Sequence, residues 1–142
     1  MNSFVPIRRH IFALIRIITP VLLIIALLNA SVHADQPFSI VRVSTDSAGG
    51  QSNNYSDYPI VSADGRYVIF HSAATNLVAG DTNGDIDAFI KDTQTGVITR
   101  ISTDGSGNQA NDSSFPAGIS ANNRYVTLLS AATNLVAGDT NG

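Results

Sequence analysis

Oxygen-bearing side chains recur at every second position of one segment. Asp81, Asn83 and Asp85 form a D-x-N-x-D series, and Asp87 and Asp92 follow at its seventh and twelfth positions. Oxygen ligands spaced in this way can wrap a hard cation such as calcium. The series lacks the glycine at position six and the glutamate at position twelve of an EF-hand loop. It therefore indicates either a calcium site formed by its first four members or a turn capped by the same side chains.

The segment belongs to a repeated unit. The chain aligns with itself without gaps at an offset of 58 residues, which places Arg42 on Arg100. The block SAATNLVAGDTNG is identical at residues 72–84 and 130–142. Such identity indicates duplication, and side chains present in every repeat are more often structural than catalytic. The second copy lacks a counterpart of residues 85–100, which predicts a truncated unit.

His71 is the only histidine after residue 34, and its counterpart in the second copy is Leu129. A position that takes leucine in the sister copy indicates packing, so we expect His71 to be a partly buried strand residue. Neither a nucleophile elbow nor an H-E-x-x-H motif accompanies it. The sequence therefore predicts no catalytic residue and no cofactor apart from the calcium considered above.

The two copies differ most between residues 53 and 59. Tyr55, Asp57 and Tyr58 stand where the second copy has serine, phenylalanine and proline. A stretch specific to one repeat is a place where a repeat protein can vary its binding surface. The alternative interpretation is a solvent-exposed loop whose sequence has drifted.

Strand signals in the first copy are short and regularly spaced. They lie at residues 59–62, 66–72, 87–92 and 97–102, separated by turn residues. The second run has consecutive apolar residues, which indicates burial on both faces. The chain has no glutamate, and its many Asp, Asn, Ser and Gly residues favour turns over helices. The sequence predicts an all-β protein built from four-stranded antiparallel meanders.

The runs SADGRYVIF at residues 62–70 and ATNLVAGDTNGDIDAFIKDTQTGVITRIS at 74–102 resemble the WD-like repeats of TolB-type β-propellers. The second copy has Asn-Asn in place of the Asp-Gly turn, and both pairs tolerate positive φ. The resemblance covers residues 40–142 and implies about one and a half propeller blades. It implies little about function, because such blades occur in scaffolds, binding proteins and noncatalytic parts of enzymes.

Residues 40–44 match the fourth strand of the first repeat, yet nothing before them supplies the other three strands. The resemblance implies an N-terminal strand that closes the propeller ring. The predicted organisation is a signal peptide at residues 1–34, a closing strand and linker at 35–57, a first repeat at 58–115 and a truncated second repeat at 116–142.

The first 30 residues have the pattern of a secretion signal. Residues 1–16 carry three arginines and no acidic residue, and an uncharged apolar run follows at 17–30. Val32 and Ala34 suit a cleavage site, so we expect the mature chain to begin at Asp35. An uncleaved membrane anchor is the alternative, although the run is short for a hydrocarbon core of about 30 Å. The paired arginines leave both the general and the twin-arginine export routes open.

Cleavage would leave five basic residues against eleven acidic ones, a net charge of −6. Nucleic-acid binding needs a basic surface, so a nucleic-acid partner is not expected. The leader predicts a periplasmic or extracellular protein that does not stay in the membrane. The function predicted is noncatalytic binding or scaffolding of a protein or glycan partner through a propeller face. The alternative is the N-terminal propeller portion of a larger secreted hydrolase whose catalytic residues lie beyond Gly142.

Overall fold

A computed structural model describes residues 40–139 of the chain. All described residues except Ile40 lie in one compact unit, which begins at Val41. The predicted signal peptide and its cleavage site lie outside the described residues. Within residues 40–139 the fold is all-β and antiparallel, without a helix, as predicted. The strands are β1 (Ser56–Val61), β2 (Tyr67–Ser72), β3 (Asp87–Asp92), β4 (Ile98–Arg100), β5 (Ser114–Ile119) and β6 (Val126–Ser130).

The 58-residue offset divides the described residues into two copies, and in the structure we call 43–100 the first repeat and 101–139 the second. The first repeat forms one four-stranded meander in the order β1-β2-β3-β4. β2 pairs with β3 over all six residues, from Tyr67 opposite Asp92 to Ser72 opposite Asp87. Five of the six β2 residues are buried, which confirms the burial predicted for both of its faces. β2 lies between β1 and β3, so both edges of its backbone are paired.

The second repeat contributes a two-stranded sheet, β5-β6, that reproduces β1 and β2. The turns before β2 and β6 both use a positive φ, 73° at Gly65 and 59° at Asn123. The Asn-Asn pair thus supports the same turn as Asp-Gly, as expected. β1 begins at Ser56, three residues before the predicted start at Pro59, because Ser56 pairs with Ser72.

Hydrogen bonds repeat between the two copies along with the sequence. Asn53 N donates to Asn76 Oδ1 at 2.9 Å, and Asn111 N donates to Asn134 Oδ1 at 3.0 Å. The hydroxyl pair Ser56–Ser72 corresponds to Ser114–Ser130. In the turns, Tyr67 N donates to Ser62 Oγ as Tyr125 N donates to Ser120 Oγ. Each copy therefore folds through the same local contacts.

The main apolar core lies on one face of the first sheet. Val68, Phe70, Phe89 and Leu77 are at most 6% exposed there, and Val43 packs against them. The opposite face carries Ile69 and His71 on β2. The second repeat packs on the first sheet through β5, which contacts β1, β2 and β3.

The segment before β1 contains an isolated bridge between Thr45 and Gln51 and no longer strand among its described residues. The second repeat has the same bridge, between Thr103 and Gln109. The Lys91 ammonium fixes the segment to β3 by donating to two carbonyl oxygens, those of Thr45 and Asp46, each at 3.0 Å. A β-strand is recognised by its pairing with a neighbouring strand, and residues 40–44 have no such partner among the described residues. The closing strand therefore stays a prediction.

Candidate functional site

Three aromatic rings converge at the junction between the two repeats. Tyr58 on β1 stacks on His71 of β2, with ring centroids 5.2 Å apart and planes at 26°. Phe115 on β5 meets the same imidazole edge to face at 5.1 Å and 84°. We call Tyr58, His71 and Phe115 the aromatic cluster. Neither repeat alone can form it, because Phe115 comes from the second.

Tyr58 has a backbone conformation that is rare for its residue type. Its φ is 51°, in the left-handed region that large side chains seldom adopt. It lies in the β-bulge of β1, between Asp57 and Ile60, and its N–H donates to Asp57 Oδ1 at 2.8 Å. A non-glycine residue in this region costs about 1–3 kcal/mol, and such strain concentrates at functional sites.

β5 is also irregular, between Pro116 and Gly118, and Pro116 is the residue that corresponds to Tyr58. The pyrrolidine ring fixes φ near −65°, so Pro116 cannot repeat the conformation of Tyr58. The strained tyrosine is thus specific to the first repeat. Comparison of the two copies predicted the variable stretch from its residue types, whereas the positive φ of Tyr58 could be found only in the structure.

Exposure differs sharply within the aromatic cluster. Tyr58 is 70% exposed and Phe115 37%, whereas His71 is only 6% exposed. The buried position of His71 is consistent with the packing role predicted from Leu129. The imidazole therefore forms the floor of the cluster, and the two outer rings offer apolar surface to solvent.

Burial lowers the pKa of His71 below its ordinary value of 6.5, although the charge of Asp57 opposes the shift. Desolvation disfavours the charged imidazolium, so His71 is neutral near pH 7. The aromatic cluster can hold a ligand by stacking or by cation–π contact. None of the three residues of the aromatic cluster is an activated nucleophile.

The residues of the predicted calcium series fall into two groups in the structure, a buried carboxylate pair and residues with local contacts. Asp81 and Asp87 are brought together, and both lie beside the Arg100 guanidinium, with N–O distances of 3.6 and 3.4 Å. Gln109 of the second repeat donates to both carboxylates, at 3.0 and 2.9 Å. Ser102 Oγ donates to Asp87 Oδ1 at 2.7 Å. The sequence reasoning did not identify Arg100 as the cation between these carboxylates.

The other members of the series act locally. Asn83 Oδ1 accepts from the N–H of Asp85 at 3.1 Å, and Asn83 Nδ2 donates to the carbonyl of Ala110 at 2.9 Å. Asp92 pairs with Arg66 at 2.7 Å. Within the described part of the chain, no group of three or more histidine and acidic side chains could hold a metal ion. These contacts agree with the turn-capping alternative, and calcium binding stays a prediction.

The Asp81 carboxyl has an unusual electrostatic environment. Burial and then the charge of Asp87 raise its pKa, whereas the Gln109 hydrogen bond and the Arg100 charge oppose the rise. The carboxylates of both residues are almost completely buried, at 3% and 0% side-chain exposure. Their hydrogen bonds to Gln109 cross from one repeat to the next, so the group acts as a polar joint between the repeats.

Comparison with models of protein families, with curated proteins and with solved structures finds no match to this chain. Among residues 40–139 there is no helix of the length and apolarity needed to cross a membrane.

Proposed function

We propose that this chain is part of an exported, noncatalytic β-propeller protein that binds a protein or glycan partner in the cell envelope or exterior. The four-stranded meander of the first repeat, the recurrence of its first two strands as β5 and β6, and the resemblance of the sequence to TolB-type blades support the propeller architecture. The charged start and apolar run of residues 1–30 support export.

The aromatic cluster carries the binding proposal. Exposed aromatic rings are enriched at recognition surfaces because they offer large apolar area with little conformational freedom to lose. Tyr58 is 70% exposed and has a strained backbone conformation that Pro116, its counterpart in the second repeat, cannot adopt. Natural folds tolerate such strain where it contributes to function. The ring of Tyr58 is therefore the proposed contact point for the partner.

Binding of the full chain to an oligosaccharide array and to a peptide array tests the proposal. We expect saturable binding on one array, and Tyr58→Ala should weaken it at least tenfold, because the stacking surface is removed. Tyr125→Ala is the matched control, since Tyr125 is also exposed, at 60%, but lies outside the aromatic cluster. Equal binding by the Tyr58 variant and the wild type would contradict the proposed surface.

An activity assay tests the noncatalytic part of the proposal. The same chain is incubated with panels of glycosides and peptides, and product release is followed. We expect no turnover above the uncatalysed rate. Hydrolysis at about 1 s⁻¹ or faster, in the range of ordinary enzymes, would overturn the assignment.

A further inference from the structure

A carboxylate lies beside the aromatic cluster. Asp57 is directly opposite His71 in the pairing of β1 with β2, and it precedes Tyr58 in the chain. Its charge acts on the imidazole, because it opposes the lowering of the His71 pKa by burial. The negative charge therefore belongs to the same surface as the exposed Tyr58.

The Asp57 carboxylate has no cation as a partner among residues 40–139. Arginine–aspartate ion pairs occur elsewhere in this part of the chain, but none includes Asp57. Asp57 Oδ1 accepts the hydrogen bond from the N–H of Tyr58, and Oδ2 accepts none from the described residues. Asp57 is exposed, so a cation from outside the chain can reach it.

The Tyr58 ring offers a face on which a cation can lie. Its inner face stacks on His71 with the centroids 5.2 Å apart, and the residue as a whole is 70% exposed, so the outer face meets solvent. A positive charge within about 6 Å of a tyrosine ring centroid is attracted by the electron-rich face of the ring. The imidazole behind the ring is neutral near pH 7 and does not repel that charge.

The first repeat already contains a complete arrangement of ring, cation and carboxylate. The Arg66 guanidinium lies 4.9 Å from the centroid of the Tyr67 ring, and it also binds the Asp92 carboxylate at 2.7 Å. Tyr58 and Asp57 provide a ring and a carboxylate side by side, without the cation. The chemistry of the surface is thus that of a site for a positive charge.

This surface is specific to one joint of the molecule. Asp57, Tyr58 and His71 have Phe115, Pro116 and Leu129 as their counterparts in the second repeat. Both repeats that meet at the cluster are described, so Tyr58 is exposed with its neighbouring repeat in place. The features that could bind a cation therefore coincide with the positions at which the two copies differ.

We propose that the aromatic cluster and Asp57 together bind a lysine or arginine side chain of a protein partner. The cation lies on the outer face of Tyr58 and donates a hydrogen bond to Asp57 Oδ2. Charge complementarity favours this partner over a neutral glycan, which would leave the charge of Asp57 uncompensated. This inference rests on the function proposed above and names the partner of the same site.

The probe is a short peptide of glycine and serine around one lysine, which is titrated into the full chain and followed by NMR. We expect saturable shifts of the Tyr58 and Phe115 ring signals. Acetylation of the lysine removes its charge and should weaken binding about fivefold. Tyr58→Ala should weaken binding of the unmodified peptide by a similar factor, because the ring is lost.

Asp57→Asn isolates the charge, because the amide oxygen can still accept from the Tyr58 N–H. We expect it to weaken binding of the lysine peptide about fivefold. Asp112→Asn is the matched control, since Asp112 is also exposed and accepts from the N–H of the next residue, at 2.7 Å, but lies outside the cluster. It should leave binding unchanged. Equal weakening by the two variants would indicate general attraction to an acidic chain and would overturn the proposal.

The peptide comparison uses wild-type protein, so it is decisive even if a variant fails to fold. Equal binding of the lysine and acetyl-lysine peptides, or no shift at about 10 mM peptide, would also overturn the inference. A neutral oligosaccharide whose binding depends on Tyr58 would contradict the cationic partner and leave the proposed binding function in place. Failure to bind on either the oligosaccharide or the peptide array would remove both.

Discussion

At the residue scale, His71 shows how one position can differ between repeats that share a fold. The sequence predicted packing from its counterpart Leu129, and the structure places the imidazole under Tyr58 and Phe115. Its chemistry nevertheless differs from that of leucine, because it can take up a proton. The side chain is buried, and protonation there is unfavourable.

Stability should therefore depend on pH through His71. Its pKa is lowered in the folded chain, so the unfolded chain, with a pKa near 6.5, binds more protons at acidic pH. The unfolding free energy should be independent of this group above pH 6.5 and should fall as the pH drops below it. His71→Leu, which installs the residue of the second repeat, should remove this dependence. Thermal melting of both proteins between pH 7.5 and 5 checks it. Parallel pH profiles for the two would contradict the assignment.

The buried pair of Asp87 and Arg100 makes a second prediction at this scale. Asp87→Ala should lower the unfolding free energy by about 3 kcal/mol, because the Arg100 guanidinium loses one of its two carboxylates in a buried setting. Asp85→Ala is the control, since its side chain is half-buried and lies outside the pair, and it should cost under about 1 kcal/mol. Chemical denaturation measures both. Equal losses would show that the buried ion pair has no special role.

At the scale of elements, the sequence predicted the meander but not all of its boundaries. β3 was predicted at residues 87–92 and runs over Asp87–Asp92, since turn residues delimit it on both sides. β1 starts earlier than predicted because Ser56 pairs across to Ser72, a tertiary contact that local propensity does not encode. The bulge at Tyr58 and the pairing of Asp81 with Arg100 likewise depend on distant parts of the chain. Variation between copies indicated the stretch around Tyr58, but not its partners.

The stability of the polar joint between the repeats should depend on the side chain of Gln109. Its amide donates to Asp81 and Asp87, so Gln109→Ala would leave two buried carboxylates each one donor short. We expect a loss of about 1–3 kcal/mol in unfolding free energy. Gln51→Ala is the matched control, because Gln51 is the exposed counterpart of Gln109 in the first repeat. Its hydrogen bond with Asn76 is accepted by the backbone carbonyl, which the substitution keeps. If the Gln51 variant lost as much stability, the polar joint would not hold the repeats together.

At the scale of the whole molecule, the first repeat supplies a surface that the second one covers. The face of β2 with Ile69 and His71 is buried where β5 lies against it, whereas the corresponding Leu129 is 67% exposed. Repeat proteins derive their stability from such neighbour contacts. The described residues thus contain one complete joint between repeats, and the aromatic cluster lies at that joint.

A double-mutant cycle between His71 and Phe115 tests this central claim most directly. The residues lie in different repeats, and their rings are 5.1 Å apart. Unfolding free energies of the wild type, His71→Ala, Phe115→Ala and the double variant give their coupling. Edge-to-face packing predicts a coupling of about 0.5–1.5 kcal/mol in favour of the pair. Additive effects, with a coupling below about 0.3 kcal/mol, would show that the second repeat does not pack on the first at this cluster.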